Sequence, residues 1–233
     1  MVCCAMVVGA GEGHRHLDRV LRLADRWADL LLVYADGVDH DTLDALDARD
    51  VVVEYGETSR YREAESWVRN QLMELCDEHL SDGDVVVALD ADEQLVGTGL
   101  HGNPVGDLRA AYFDERYGRW PVLFEHVWAP DGSVIRVDGG WAPARGYRIY
   151  RHHGGARIPD RKLACLPTPP IADPACPDAE SPFRCLHWGY ARPHDRPVKH
   201  AFYVMQDGGE FHSRSHIDSI VGEPTLIPTP ELP

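Results

Sequence analysis

The stretch Val85-Val86-Val87-Ala88-Leu89-Asp90-Ala91-Asp92-Glu93 decides how this chain is read. Five apolar residues in a row, three of them β-branched, predict a strand buried on both faces, as in a parallel sheet covered by helices. Three carboxylates follow within four residues. Ligands of such sheets bind beyond the carboxyl ends of the strands. Acids packed this closely repel one another unless a cation or a donor-rich ligand offsets them. Mg²⁺ and Mn²⁺ are hard ions that prefer oxygen, and Mg²⁺ sites commonly combine one or two carboxylates with the phosphates of a substrate. The plain alternative is an acidic cap at a strand end. The buried strand before it, and a second acid at the end of another apolar run, argue for the site.

That second acid is Asp36, after the run 30–34. An aspartate here is placed to accept hydrogen bonds from a base or ribose, or it is a turn residue leading into a helix. The whole first half alternates in this way. Residues 2–8 predict a first strand that ends at Gly9-Ala10-Gly11. Leu17, Val20, Leu21, Ala24, Trp27 and Ala28 recur at helical spacing. A short helical piece at 42–46, a third strand at 51–55 and an amphipathic helix over 64–80 precede the deciding strand. Strands separated by helices mean a Rossmann-like parallel sheet.

The second half changes character. Alternation predicts strands at 120–128 and 145–151, with another at 157–166 and one at 183–188. Residues 167–182 are rich in proline and acid and read as a loop. Residues 193–205 read as a helix. The last twelve residues carry Pro224, Pro228, Pro230 and Pro233 and read as a loose tail.

Composition sets bounds. The chain has 233 residues and a formal charge of −15, which opposes strong unspecific affinity for nucleic acid. Only Lys162 and Lys199 are lysines. No apolar run approaches the ~20 residues of a membrane span. Cys3, Cys4, Cys76, Cys165, Cys176 and Cys185 form no Cys-x-x-Cys pair, and they read as reduced thiols of a cytoplasmic protein.

An ordered set of motifs carries a resemblance. After Asp36 comes Val38-Asp39-His40-Asp41-Thr42, then Arg69-Asn70 on a helix, then Leu89-Asp90-Ala91-Asp92-Glu93. Trp128 is followed by Arg136-Val137-Asp138-Gly139, and a His-x-Gly-Tyr-x-x-Pro-x-Asp-Arg-x-x-Lys pattern runs from His187 to Lys199. This set resembles the GT-A-fold family 2 glycosyltransferases, in a subgroup found in bacteria and their phages. The resemblance spans about residues 2–220. It implies an α/β GT-A (Rossmann-like) single domain, with a central, mostly parallel sheet flanked by helices and a mixed-strand acceptor-side half. The expected layout is a domain over 1–221, split into a nucleotide-sugar-binding half (1–95) and an acceptor-side half (96–221), with a Pro-rich tail at 222–233.

The implied reaction moves a sugar from a nucleoside-diphosphate sugar, a UDP-sugar by first choice, to an acceptor hydroxyl with inversion. The acceptor is left open among a glycan, a lipid-linked sugar, a protein and a modified DNA base. Mn²⁺ or Mg²⁺ is the implied cofactor, held by Asp90, Asp92 and His187. Gly9, Glu12, Asp36, Arg69, Asp90 and Ala91 are expected to bind the nucleotide sugar, with Arg69 either touching phosphate or bracing Asp90. Asp195-Arg196 and Lys199 form charge pairs at a helix start or approach the phosphates. The family's base position has no carboxylate here, since Arg161-Lys162-Leu163-Ala164-Cys165 stands there. Asp138 is the first choice for the base, with Asp160 and Glu125 as alternatives. Two other readings stand beside this one. A sugar nucleotidyltransferase would want a Gly-rich, basic loop after the first strand, and Gly9–Gly13 has the glycines without a lysine. A non-catalytic nucleotide-sugar-binding protein would be expected to have eroded its acidic motif.

Overall fold

The computed structural model describes residues 1–13, 15–61, 63–99, 103–114, 116–159, 179, 181–207 and 212–230. Its centre is the parallel array that the apolar runs predict. Strand β1 (Val2–Gly9) lies between β2 (Leu30–Asp36) and β4 (Val85–Asp90), and β3 (Val52–Gly56) flanks β2, all parallel. Between them run α1 (Leu17–Ala24), α2 (His40–Asp47) and α3 (Glu65–His79). The interior residues of β1, β2 and β4 are buried on both faces. The even residues of β1 join a core that includes α1, and the odd ones join a core that includes α3.

Beyond β4 the sheet turns antiparallel. Strand β8 (Ala144–Arg151) pairs with β4, then come β6 (Arg119–Val127), β7 (Val134–Arg136) and β10 (Leu226–Pro228). Helix α4 (Val105–Phe113) packs against β1 and β4. The larger core continues from β1 through Trp120, Val122, Ile149 and Phe183, so one apolar interior links the halves. The fold is thus mixed α/β, with a Rossmann-like parallel centre.

Two connections position the functional residues. Register sets Gly9 opposite Asp36 and Val7 opposite Asp90, so three strand ends emerge together. After the acidic turn, β5 (Glu93–Val96) pairs antiparallel with β9 (Arg184–His187), setting Glu93 opposite His187. The Trp188 N–H donates to the Asp92 carbonyl at 2.7 Å. A histidine almost a hundred residues away is thereby fixed beside the acids. Helices α5 (Asp195–Gln206) and α6 (Arg214–Ser219) then close over this end.

The 222–233 segment is not a loose tail throughout. Residues 226–228 add an edge strand to β7, Thr225 N–H donates to Asp138, and Thr229 N–H donates to the Ser133 carbonyl. Pro228 closes the ladder at an edge, where a missing donor is tolerated. The strand expected at 157–166 does not form over 157–159, where Asn70 instead pairs its amide with both backbone groups of Ile158. The remainder of that stretch, with Asp160, Lys162 and Cys165, lies outside the described residues, as does Cys176. Cys3, Cys4, Cys76 and Cys185 are free and buried, and burial pushes the Cys76 thiol up to about 12. Among the described residues no helix is long and apolar enough to cross a membrane.

Candidate functional site

The expected nucleotide-side residues converge on one cavity of about 610 Å³, lined by Gly9, Glu12, Asp36, Asp90, Ala91 and Asp92. His187 and Lys199 close its far side. A second cavity, of about 720 Å³, opens from the same point toward the back half, and Asp90 and His187 line both. Arg69 and Asp138 line the second cavity only.

Asp90 is clamped. Arg69 reaches one oxygen at 3.2 Å, and Arg148 lies 3.5 Å from the other. Arg69 is held in turn by Glu65 at 2.8 Å and by the Tyr61 hydroxyl at 2.9 Å. Arg148 grips Glu93 with two bonds of 2.6 Å. Burial alone would push the Asp90 carboxyl up, but Arg69 and Arg148 outweigh it and hold it below the usual range. The expectation that Asp90 ligates a metal therefore meets a carboxylate already engaged by two guanidinium groups. Of the two roles open to Arg69, bracing Asp90 is the one observed.

Asp92 faces the other way. Its Oδ1 is 3.3 Å from His187 Nε2, and its Oδ2 accepts from Lys199 Nζ at 2.9 Å. Burial raises the Asp92 carboxyl, yet Lys199 and His187 bring it well below its ordinary value. His187 Nδ1 lies 3.1 Å from His126 Nδ1. His126 is pushed down to about 3, first by burial and then by His187, so it stays neutral in ordinary buffers. Lys199 thus approaches the acids. Arg196 instead donates to the carbonyls of Tyr190 and Trp128 and stacks on the Trp128 ring, which fixes the start of α5.

Do these residues fit a divalent ion? Neighbouring ligands on an octahedral ion with ~2.1 Å bonds lie about 3.0 Å apart, close to the 3.3 Å between Asp92 and His187. Among the described residues no three His, Cys, Asp or Glu side chains gather as a cage. A two-ligand site completed by phosphate and water suits Mg²⁺ or Mn²⁺. One oxygen of Glu12 is buried without a partner. Burial and Asp92 together raise Glu12 to about 7, and they outweigh the opposing pull of Arg15 and Lys199. The spacing of this pair is compatible with such an ion, and Asp92 and His187 are the side chains that would hold it.

Glu12 gives a pH prediction with a definite sign. A carboxyl whose folded value is raised binds protons better when folded, so stability falls as pH rises from the unfolded value of ~4.3 to about 7. Glu12→Gln should melt close to the wild type at pH 4. At pH 8 it should melt higher by about 5–10 °C, for a relief on the order of 3 kcal/mol. Equal melting points at pH 8 would show that Glu12 carries no such penalty.

Asp36, the expected nucleoside contact, lines the cavity, and its oxygens are engaged by the loop above it. It is fully buried, and it accepts from Ser59 Oγ at 2.8 Å, from Arg60 N at 3.0 Å and from Tyr61 N at 2.9 Å. It folds the 57–61 loop back over the end of β2. Gly37 permits this with a φ of +60°, because a side chain there would collide with the Ser59 backbone. The aspartate next along, Asp39, caps α2 through Thr42 N and reaches Gly11 N at 2.7 Å, which shapes the glycine loop. Asp36→Ala should cost about 1–3 kcal/mol by orphaning two amides. It should also weaken nucleotide binding through the loop. An unchanged denaturation midpoint would contradict this.

The base candidates fare unevenly. Asp138 takes two 2.7 Å bonds from Arg136 and one from Thr225 N, and the Arg136 bonds hold it down at about 2. So low a proton affinity is a poor match for a general base. The Arg136–Asp138 pair is a clamp: Arg136 is buried between Trp128 and Trp141 and holds the Ser219 carbonyl. Glu125 is buried, accepts a hydrogen bond from Arg184 Nε and pairs with its guanidinium through one oxygen, and it lines neither cavity. Asp160 lies outside the described residues.

Several site residues escape sequence reasoning. Arg148 sits among other arginines in an alternating strand, and nothing local marks it as inward-facing. Gly189 presents its α-carbon to the Asp92–His187–Lys199 group: a methyl there would collide with Lys199 Nζ and Asp92 Oδ2, and would lie 2.9 Å from His187 Nε2. The Gly in the His187–Lys199 pattern was the available signal.

No protein-family model matches the sequence. No curated protein matches it either. Among solved structures it is similar to a 4-diphosphocytidyl-2C-methyl-D-erythritol synthase, at 16% identity and a TM-score of 0.39, over 64% of this chain and 74% of that one. It is also similar to a nucleotidyl transferase from Methanothermobacter thermautotroptrophicus, at 16% identity and a TM-score of 0.32, over 64% of this chain and 70% of that one. Likeness at this level says nothing about activity.

Proposed function

We propose that the chain transfers a sugar from a nucleoside-diphosphate sugar to an acceptor hydroxyl, with the donor in the Glu12–Asp92 cavity and the acceptor in the adjoining one. The observation that carries this reading is the meeting of two cavities at Asp90 and His187, with the Asp92–His187 pair at the junction. A group-transfer enzyme needs its two substrates to meet at one charged point.

Mn²⁺ or Mg²⁺ held by Asp92 and His187 would supply positive charge to the leaving diphosphate. His126, neutral beside His187 Nδ1, would fix the orientation of that ring. Lys199 adds a second cation at the same carboxylate, placed to meet phosphate oxygens. Asp90, held ionised by Arg69 and Arg148, offers acceptor oxygens to hydroxyls of the donor. Ring faces from Phe124, Phe202 and Tyr203 line the second cavity and suit the apolar face of a sugar-like acceptor.

Nucleotidyl transfer is the second reading, favoured by the Gly9–Gly13 loop at the end of β1. The acidic Glu12 within that loop opposes it, because such chemistry wants cationic side chains on the loop itself, and here Arg15 follows only after it and pairs with Glu12. Product analysis separates the two. With Mn²⁺ and a panel of UDP-, GDP-, ADP- and dTDP-sugars, sugar transfer or hydrolysis releases nucleoside diphosphate. Pyrophosphate release from a nucleoside triphosphate and a sugar phosphate, without that, would establish the rival.

A further inference from the structure

The second cavity is lined by a histidine paired with a buried aspartate that the motifs do not mark. Among the described residues, each carboxylate lining it is bound by an arginine: Glu65 and Asp90 by Arg69, Glu93 by Arg148, and Asp138 by Arg136. An arginine partner stabilises the ionised form and so weakens the base. The lining histidines are the other choice. His187 faces Asp92 on the donor side, and His126 is tied to His187. His216 is stacked on the Trp141 ring.

His212 is differently placed. Its Nδ1 lies 2.7 Å from Asp207 Oδ2, and its backbone N–H donates to the same oxygen at 2.9 Å. Asp207 is 7% exposed, at the end of α5, whereas the His212 side chain is 30% exposed and lines the cavity. A buried carboxylate accepting from Nδ1–H directs the lone pair to Nε2 and stabilises the imidazolium once it forms. This is the arrangement of a base held by a third group. Among the described residues, the groups facing His212 include Asp207 and Tyr203 from α5 and His216 from α6.

We propose that His212, oriented by Asp207, is the general base that deprotonates the acceptor, an inference that rests on the sugar-transfer reading above. As the acceptor oxygen bonds to the anomeric carbon, its proton passes to His212 Nε2. The carbon–oxygen bond to the diphosphate breaks, and its electron pair leaves with the diphosphate. Asp207 stays ionised and balances the imidazolium. His212 is the catalytic residue and Asp207 a positioning residue.

The test uses the full chain with Mn²⁺ and whichever sugar nucleotide of the panel it turns over, with water or an added alcohol as acceptor. His212→Gln should lower nucleoside diphosphate release by ~10²–10⁴-fold and leave nucleoside diphosphate affinity unchanged. Added imidazole should restore part of the rate to His212→Ala. Asp207→Asn should lower the rate less and shift its pH profile, which a merely structural role would not do. A His212→Gln rate within about threefold of wild type would overturn the assignment while sugar transfer stands. So would a large loss in Asp138→Asn with His212→Gln intact, which would return the role to Asp138. A wild-type chain that neither binds nor turns over any sugar nucleotide would overturn the sugar-transfer reading, and the base with it.

Discussion

Gly189→Ala is expected to reduce turnover by about 10²-fold or more while the protein stays folded. The new methyl would enter the space shared by Lys199 Nζ, Asp92 Oδ2 and His187 Nε2. All three are side-chain ends, so they can move aside without disturbing β9 or the core. What is lost is their mutual geometry, and misplacement by an ångström is enough for a hundredfold loss. Thermal denaturation checks the fold, and nucleoside diphosphate release checks the chemistry. Full activity in this variant would mean that the three groups do not act as a unit.

Arg148→Met is expected to have the largest effect on stability. Its guanidinium makes two 2.6 Å bonds to Glu93, which is 2% exposed, and helps hold Asp90. Removing it leaves a buried carboxylate without its cationic partner, held only by the Asp90 N–H among the described residues, a loss of about 3–5 kcal/mol. For a chain of this length that lowers the melting temperature by on the order of 10 °C. Adding Glu93→Gln should recover a large part of the loss, because the two residues are coupled rather than additive. A double variant no more stable than Arg148→Met would show that the arginine acts through other contacts.

The parallel centre of the fold is legible in the sequence because its strands are buried on both faces. That condition yields the unbroken runs of β1, β2 and β4, whose ends carry Asp36 and Asp90. The back half is harder to read. Strands β5 and β9 have four residues each, and β7 and β10 three, too few for alternation to register. The pairing of β5 with β9 is what brings His187 to Asp92, and only the family resemblance anticipates it. Residue roles are less legible than residue positions. Asp36 and Asp138 stand where a binding residue and a base were expected, yet their oxygens are taken by loop amides and by Arg136. Such partners come from distant or unremarkable positions, and no local pattern announces them. Asp207 and His212, five residues apart at the end of one helix and before the next, carry no motif at all.

The most direct test of the central claim is a thermal-shift titration of nucleoside diphosphates, UDP first, with and without Mn²⁺, on the wild type and on Asp92→Asn. The account predicts that one nucleoside diphosphate raises the melting temperature by about 5–10 °C at a hundred times its dissociation constant. The shift should require Mn²⁺ or Mg²⁺ and should be lost in Asp92→Asn. No shift with any nucleoside diphosphate in the presence of the metal, or an equal shift in Asp92→Asn, would contradict it.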